Sequence, residues 1–155
     1  DLTSGSTWHA AGLLPLFNMS YSVGQIHKYS VQLYENLERE TGQNVGFKKV
    51  SNIRLATNKD RMDEYHQYAG VAETIGVKVK FLSPKEIKEI WPLCNTEGLV
   101  GAIEHPDDGY IQPADLTQSM AKGARDMGAK IYRNTPVINI VQKKNGEWLV
   151  KTEDG

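Results

Sequence analysis

The chain is poor in cysteine: Cys94 is the single one in 155 residues. A lone cysteine excludes an internal disulfide and most zinc sites, and it suits a reducing compartment. Cys94 is expected to be a passive buried thiol. The chain also lacks an excess of either charge, with 18 Lys and Arg against 19 Asp and Glu. Nucleic-acid binding would favour a basic patch, so that class is set aside. No apolar run approaches the about 20 residues of a membrane span. Neither an initiating Met nor a leader-like segment opens the sequence at Asp1, and it ends on the turn pair Asp154-Gly155. Both ends read as cuts through a longer chain, carrying no targeting segment. Internal repeats and low-complexity tracts are absent too.

What is present is an ordinary globular composition, 39% apolar and 24% charged, arranged as alternating helices and strands. "SVGQIHKYSVQLYENLERETG" reads as a helix, with Ser22 and Gln25 as a capping box and Gly42 as its stop. Val23, Ile26, Leu33 and Leu37 line one face, joined by Tyr29 and Tyr34. "VGFKKVSNIRLAT" is β-rich. "DRMDEYHQYAGVAETIG" is a second helix, with Met62, Tyr65, Ala69, Ala72 and Ile75 on one stripe. "VKVKFL" alternates as a half-exposed strand. "SPKEIKEIW" is a short helix with Ser83 as cap, Pro84 in the first turn and Glu86 closing the box. "GLVGAIEH" reads as a strand. "PADLTQSMAKGARDMG" is a third long helix, with Leu116, Met120, Ala124 and Met127 inward. "AKIYR" reads as a short strand. "PVINIVQKKNGEWLVKT" is a hairpin around Asn145-Gly146. The fold class is therefore α/β or α+β.

Four histidines need assignment. His27 and His66 lie on helices without a second ligand one turn away, so surface or packing roles are expected and no metal site. His105 precedes Pro106-Asp107-Asp108-Gly109, which lacks the alternating ligands and closing Glu of a calcium loop. His9 sits differently, in "SGSTWHAAGLL". Gly5 and Gly12 remove side chains, Ser4, Ser6 and Thr7 offer hydroxyls, and Trp8 supplies a flat apolar wall. That mixture suits a cofactor carrying phosphate and a ring system. It suits a plain capped loop equally well.

The segment "LTSGSTWHAAGLL" resembles the flavin-attachment segment of the dimethylglycine dehydrogenase and sarcosine dehydrogenase family. These are FAD-dependent oxidoreductases of the D-amino-acid-oxidase superfamily. "LYENLERETGQNVGF", "SNIRLAT", "EIWPL", "DDGYIQPADLT" and "GARDMGAKIY" resemble further family blocks in the same order, so the resemblance spans the whole chain. It implies that His9 bonds covalently to the 8α-methyl of the flavin ring. A neutral imidazole nitrogen is a fair nucleophile toward such a carbon. It further implies that Leu2, Thr3, Ser4, Gly5 and Ser6 run along the flavin, and that Val137 meets the adenine end through its backbone.

The resemblance also implies an architecture. Residues 1–43 would be a flavin-domain segment, 44–112 part of an antiparallel-sheet substrate domain, and 113–155 a return into the flavin domain. The family's G-x-G-x-x-G strand-turn-helix, which holds the FAD pyrophosphate, does not occur here. The implied reaction is oxidative N-demethylation of dimethylglycine or sarcosine, with hydride passing from an N-methyl group to flavin N5. Electrons would leave to an electron-transfer flavoprotein or oxygen, and tetrahydrofolate would serve a C-terminal half outside this chain. Membrane and nucleic-acid partners are not implied. The compartment would be the cytoplasm in a bacterium and the mitochondrial matrix in a eukaryote.

Tyr110 and Arg54 are catalytic candidates. Tyr110 sits by a flexible Asp-Gly turn at the domain crossing, and Arg54 could grip a substrate carboxylate bidentately. The plainer alternatives are a packed turn tyrosine and the polar face of a strand. Two rival classes remain: a non-catalytic regulatory homologue, such as the family's pyruvate dehydrogenase phosphatase regulatory subunit, and a cofactor-free α/β interaction domain.

Overall fold

The computed structural model describes residues 1–154. It is an α+β arrangement in which five helices pack on two small three-stranded antiparallel sheets, with a two-stranded hairpin following.

Helix α1 (Ser6–His9) is a single turn, and β1 (Leu13–Leu14) follows it. Helix α2 (Tyr21–Thr41) starts two residues earlier than the Ser22 capping box requires. Its cap is Ser20, whose hydroxyl accepts from the Val23 N–H. Asn18 fixes Ser20 in turn, accepting its N–H at 2.8 Å. Ser22 therefore falls inside the first turn. The buried face of α2 is Gly24, Val31, Leu37 and Thr41, while Val23, Ile26 and Tyr29 are exposed. A Cβ on Gly24 would lie 2.4 Å from the Ile75 side chain, so this glycine is what lets α2 close onto its neighbour.

That neighbour is α3 (Lys59–Ile75), capped by Asn58 and ended by left-handed Gly76. Its buried side chains are Tyr65, Tyr68, Ala72 and Ile75, so Tyr68 adds to the expected stripe. Strand β2 (Lys48–Lys49) is joined to β3 (Asn52–Ala56) through Ser51 at φ 70. Strand β4 (Lys80–Leu82) is shorter than the alternation in "VKVKFL" suggests. The Val77 N–H donates to the Ala72 carbonyl and so completes the helix terminus instead of a ladder.

Helix α4 (Pro84–Ile90) has the expected capping box, Ser83 with Glu86 in both directions. Strand β5 (Gly101–His105) is buried along its length and lies between β3 and β4. One face carries Ile103 and Ala56 into a core with Leu16, Val31, Tyr65, Tyr68, Ala72 and Ile75. The other carries Ala102 and Leu82 against Ile87 and the buried Cys94. Strand β6 (Gly109–Tyr110) then runs between β1 and β2, which ties the start of the chain to its middle.

Helix α5 (Pro113–Asp126) packs on α2 through small and polar groups, not through its methionines. Ser119 and Thr41 share a 2.7 Å buried hydrogen bond, and a Cβ on Gly123 would stand 3.1 Å from the Thr41 methyl. Met120 and Met127, expected inward, are exposed: the contact with α2 runs through Ser119 and Gly123, and Met127 lies past the last helical residue. The segment 129–133, expected as a strand, has no strand partner, and its Arg133 reaches instead to Asp1. Strands β7 (Val137–Gln142) and β8 (Trp148–Thr152) form the expected hairpin, with Gly146 at φ 87 in the turn.

Candidate flavin-attachment site

The attachment segment folds as a short turn because its glycines permit it. Thr3, Gly5 and Gly12 all have positive φ, at 71, 68 and 74. Only glycine adopts that region without strain, and a Cβ on Gly5 would meet nothing within 4 Å. The backbone at Gly5 is therefore open to close approach. Trp8 is 79% exposed, an unusual state for so large an apolar ring.

His9 closes α1 and is exposed. Its Nδ1 lies 2.8 Å from the Gly5 carbonyl oxygen. A carbonyl only accepts, so Nδ1 carries the ring proton. In the neutral ring, Nε2 is then the atom with the lone pair.

Two concavities flank this turn and share Asp1 and Leu2. One, of about 370 Å³, is walled by Asp1 to Gly5 and Trp8. The other, of about 330 Å³, is walled by Asp1, Leu2 and residues 131–136. The Arg133 guanidinium donates to the Asp1 carboxylate at 2.9 and 2.5 Å and holds the two stretches together. Val137 follows at once as the first residue of β7. Leu2, Thr3, Ser4, Gly5 and the approach to Val137 thus lie around one continuous surface, while Ser6 lines neither concavity. An open glycine, an exposed aromatic wall and a free imidazole nitrogen are features that a ring-bearing dinucleotide fits.

Tyr110 and Arg54 are placed apart. Tyr110 is the exposed residue of β6, paired with both Leu13 and Lys48. Arg54 lies in the other sheet, its guanidinium 4.4 Å from the centre of the Phe17 ring, with a buried Nε lacking a partner. His27 and His66 each bond a backbone carbonyl, and His66 also stacks on Phe81.

Sequence reasoning missed a buried polar cluster around Leu16 and Phe17. His105 is 0% exposed and Asp108 1%. The Asp108 carboxylate accepts the Leu16 N–H at 2.9 Å, and the Tyr68 hydroxyl donates to the Leu16 carbonyl at 3.1 Å. Phe17 packs against the rings of Tyr68 and His105. Burial pushes the Asp108 carboxyl up to about 6, against the lowering by the Leu16 N–H and Arg54. Burial, with Arg54 nearby, pulls the His105 imidazole down to about 4. Burial, reinforced by Asp108, raises the Tyr68 phenol to about 12. The one sequence signal for this cluster is the Asp108-Gly109 pair. Asp107, its neighbour, faces outward and binds Lys49, which also holds Glu35 at 2.6 Å.

The family model for FAD-dependent oxidoreductases, DAO, matches residues 1–155. The chain belongs to that family. The rat dimethylglycine dehydrogenase, mitochondrial, is 39% identical over the whole chain, which covers 18% of that relative. Human mitochondrial sarcosine dehydrogenase is 35% identical over 140 residues, 90% of this chain and 15% of the relative. The mouse pyruvate dehydrogenase phosphatase regulatory subunit, mitochondrial, is 33% identical over 99% of the chain and 18% of that relative. Among solved structures, L-proline dehydrogenase from P. horikoshii superposes with a TM-score of 0.88 at 27% identity, covering 98% of this chain and 40% of that one. This stretch of the FAD-dependent oxidoreductase fold thus spans about a fifth of its curated relatives. No helix among its described residues is long and apolar enough to cross a membrane.

Proposed function

We propose that this chain forms part of an FAD-dependent enzyme that oxidatively demethylates a small N-methylated amino acid, dimethylglycine or sarcosine, with His9 as the covalent tether. The observation that carries the reading is His9 itself. Its turn is open, its Nδ1 is occupied by Gly5, and its Nε2 is free to bond. Leu2, Thr3, Ser4, Gly5 and Ser6 would hold the ring system along their backbone, and Val137 would meet the adenine end across the neighbouring concavity. Bound FAD supplies the acceptor for the hydride that leaves the N-methyl carbon.

The residues of this chain bind, orient and shield. Trp8 would offer an apolar face and keep water from a ring held in the concavity it lines. An amine loses hydride only when unprotonated, so a group near it must favour the neutral form. Tyr110, exposed on β6 and paired with the strand that follows the His9 turn, is our candidate for contact with substrate. Arg54 would reach a carboxylate only after leaving Phe17, and is the weaker of the two.

The partition into residues 1–43, 44–112 and 113–155 is supported by α5 packing on α2 and by the sheet β3–β5–β4 lying wholly within the middle stretch. Electron-transfer flavoprotein or oxygen as acceptor, tetrahydrofolate in the protein that carries this chain, and a mitochondrial matrix or bacterial cytoplasmic location belong to the same proposal. So does the expectation that the 155 residues alone neither retain FAD nor turn over.

Acid denaturation of the full-length protein tests the tether. Flavin absorbance is expected to stay with the polypeptide and to be released in His9→Ala. Retention in the variant overturns the assignment of His9. A second reading, a flavin-free regulatory subunit, is favoured by the likeness to the phosphatase regulatory subunit. A colourless full-length protein would support that reading.

A further inference from the structure

We propose that Asp108 is a positioning residue for His9, acting through the backbone of Leu16. The inference rests on the reading of His9 as the tether.

Asp108 is almost wholly buried, yet its carboxylate serves a backbone group 92 residues away, the Leu16 N–H. The carbonyl of the same residue is taken by the Tyr68 hydroxyl. Both polar groups of Leu16 are thus fixed by side chains, with no strand ladder at that point. Upstream of Leu16 the grip continues. Leu14 pairs with Gly109, Leu13 pairs with Tyr110, and the Gly12 carbonyl accepts the Ile111 N–H at 2.8 Å. Residues 108–111 therefore hold residues 12–16 from end to end, and His9 lies three residues beyond the last contact.

The strand cannot slip within this grip. A Cβ at position 12 would stand 2.1 Å from the Ile111 carbonyl oxygen, so only the glycine fits opposite Ile111. A one-residue slip would also reverse the face of every side chain in β1. The turn that carries Asp108 is itself anchored from outside, through Asp107 and Lys49. Asp108 is the buried end of this clamp, and its hydrogen bond sets where the His9 turn leaves the fold.

A residue that only stabilised the fold would make the same contacts, so the test separates position from stability. In the full-length protein, the rate at which flavin becomes acid-stable is compared between wild type, Asp108→Asn and Asp108→Ala, alongside exchange of the Leu16 amide in flavin-free protein. Asn keeps the acceptor oxygen and Ala removes it. Asp108→Ala is expected to bind flavin yet attach it about tenfold more slowly, the scale of effect of a small misplacement at a reacting group. Its Leu16 amide should exchange faster, and Asp108→Asn should restore both readouts. Attachment by Asp108→Ala at the wild-type rate overturns the proposal, as does failure of Asp108→Asn to rescue. Should Asp108→Ala not fold, Asp108→Leu decides. It keeps buried volume without the acceptor, so slower attachment supports the clamp and attachment at the wild-type rate overturns it. Wild type lacking acid-stable flavin removes the tether and this inference with it. That result is distinct from a wild type that attaches flavin alongside an unaffected Asp108→Ala.

Discussion

The central sheet and the terminal hairpin are built from different residues and end in opposite surroundings. Strand β5 is buried from Gly101 to His105, whereas Val137, Ile138, Ile140, Val141, Trp148, Leu149 and Val150 of β7 and β8 are all exposed. The hairpin has the β-branched and aromatic content that strands favour, whereas Gly101, Ala102 and Glu104 of β5 are types that strands disfavour. The sheet has α3 on one face and α4 on the other, while the hairpin strands pair chiefly with each other. Propensity accounts for the hairpin strands, while pairing with β3 and β4 on both sides makes β5 a strand and places it in the core. The stability of the chain is therefore concentrated in its middle.

The comparison can be broken at four points. Ile103 sits at the centre of the buried sheet, so Ile103→Ala should cost about 2–5 kcal/mol in chemical denaturation, through lost burial and a residual cavity. A loss as small as that from a hairpin residue would show that the middle does not dominate. The next effect is electrostatic. The folded-state value of His105 is depressed to about 4, so its contribution to stability is lost as pH falls from 6.5 toward 4. The value of Asp108 is raised to about 6, so its contribution is lost as pH rises from 3.8 toward 6. The two oppose each other across the same window. Asp108→Asn should expose the His105 slope and His105→Asn the Asp108 slope, of opposite sign and each at most about 1.4 kcal/mol per pH unit. Slopes of the same sign would refute the assignment.

Tyr68→Phe leaves the buried Leu16 carbonyl without its donor and should cost about 1–3 kcal/mol, read as a lower thermal midpoint. Smallest of all, Trp148→Ser on the exposed hairpin should change the stability of the 155-residue chain by less than about 0.5 kcal/mol. A larger loss would mean that the hairpin is covered in solution.

Much of the frame could be read locally. The Ser83–Glu86 box, the glycine stops at Gly42 and Gly76 and the Asn145-Gly146 turn each act over a few residues, and each stands where its chemistry puts it. The inward faces of α2 and α5 were legible in part: Leu37, Tyr34 and Leu116 pack into one cluster as expected, while Tyr29, Met120 and Met127 are exposed. Contact there is set by how closely Thr41, Ser119 and Gly123 let two backbones approach. The cluster of Arg54, Tyr68, His105 and Asp108 was invisible for another reason. Its members come from three elements and a turn, and long-range closure alone makes them neighbours. The glycines and the imidazole of the attachment turn were legible, being consecutive. What holds that turn in place was not.

Two lysines described by no motif link the helices in series. Lys28 of α2 donates to the Ile75 carbonyl at the end of α3, at 2.8 Å. Lys122 of α5 donates to the Thr41 carbonyl at the end of α2. Each ammonium sits where a helix end is partly negative and short of donors. Each helix therefore has its last turn finished by the helix packed beside it. The three helices are coupled at their ends: the Thr41 carbonyl loses its lysine donor when α5 undocks, and the Ile75 carbonyl when α2 does. Loosening α5 should fray α2 from its C-terminal end before its middle opens, so a disturbance late in the sequence travels backward toward the segment that carries His9.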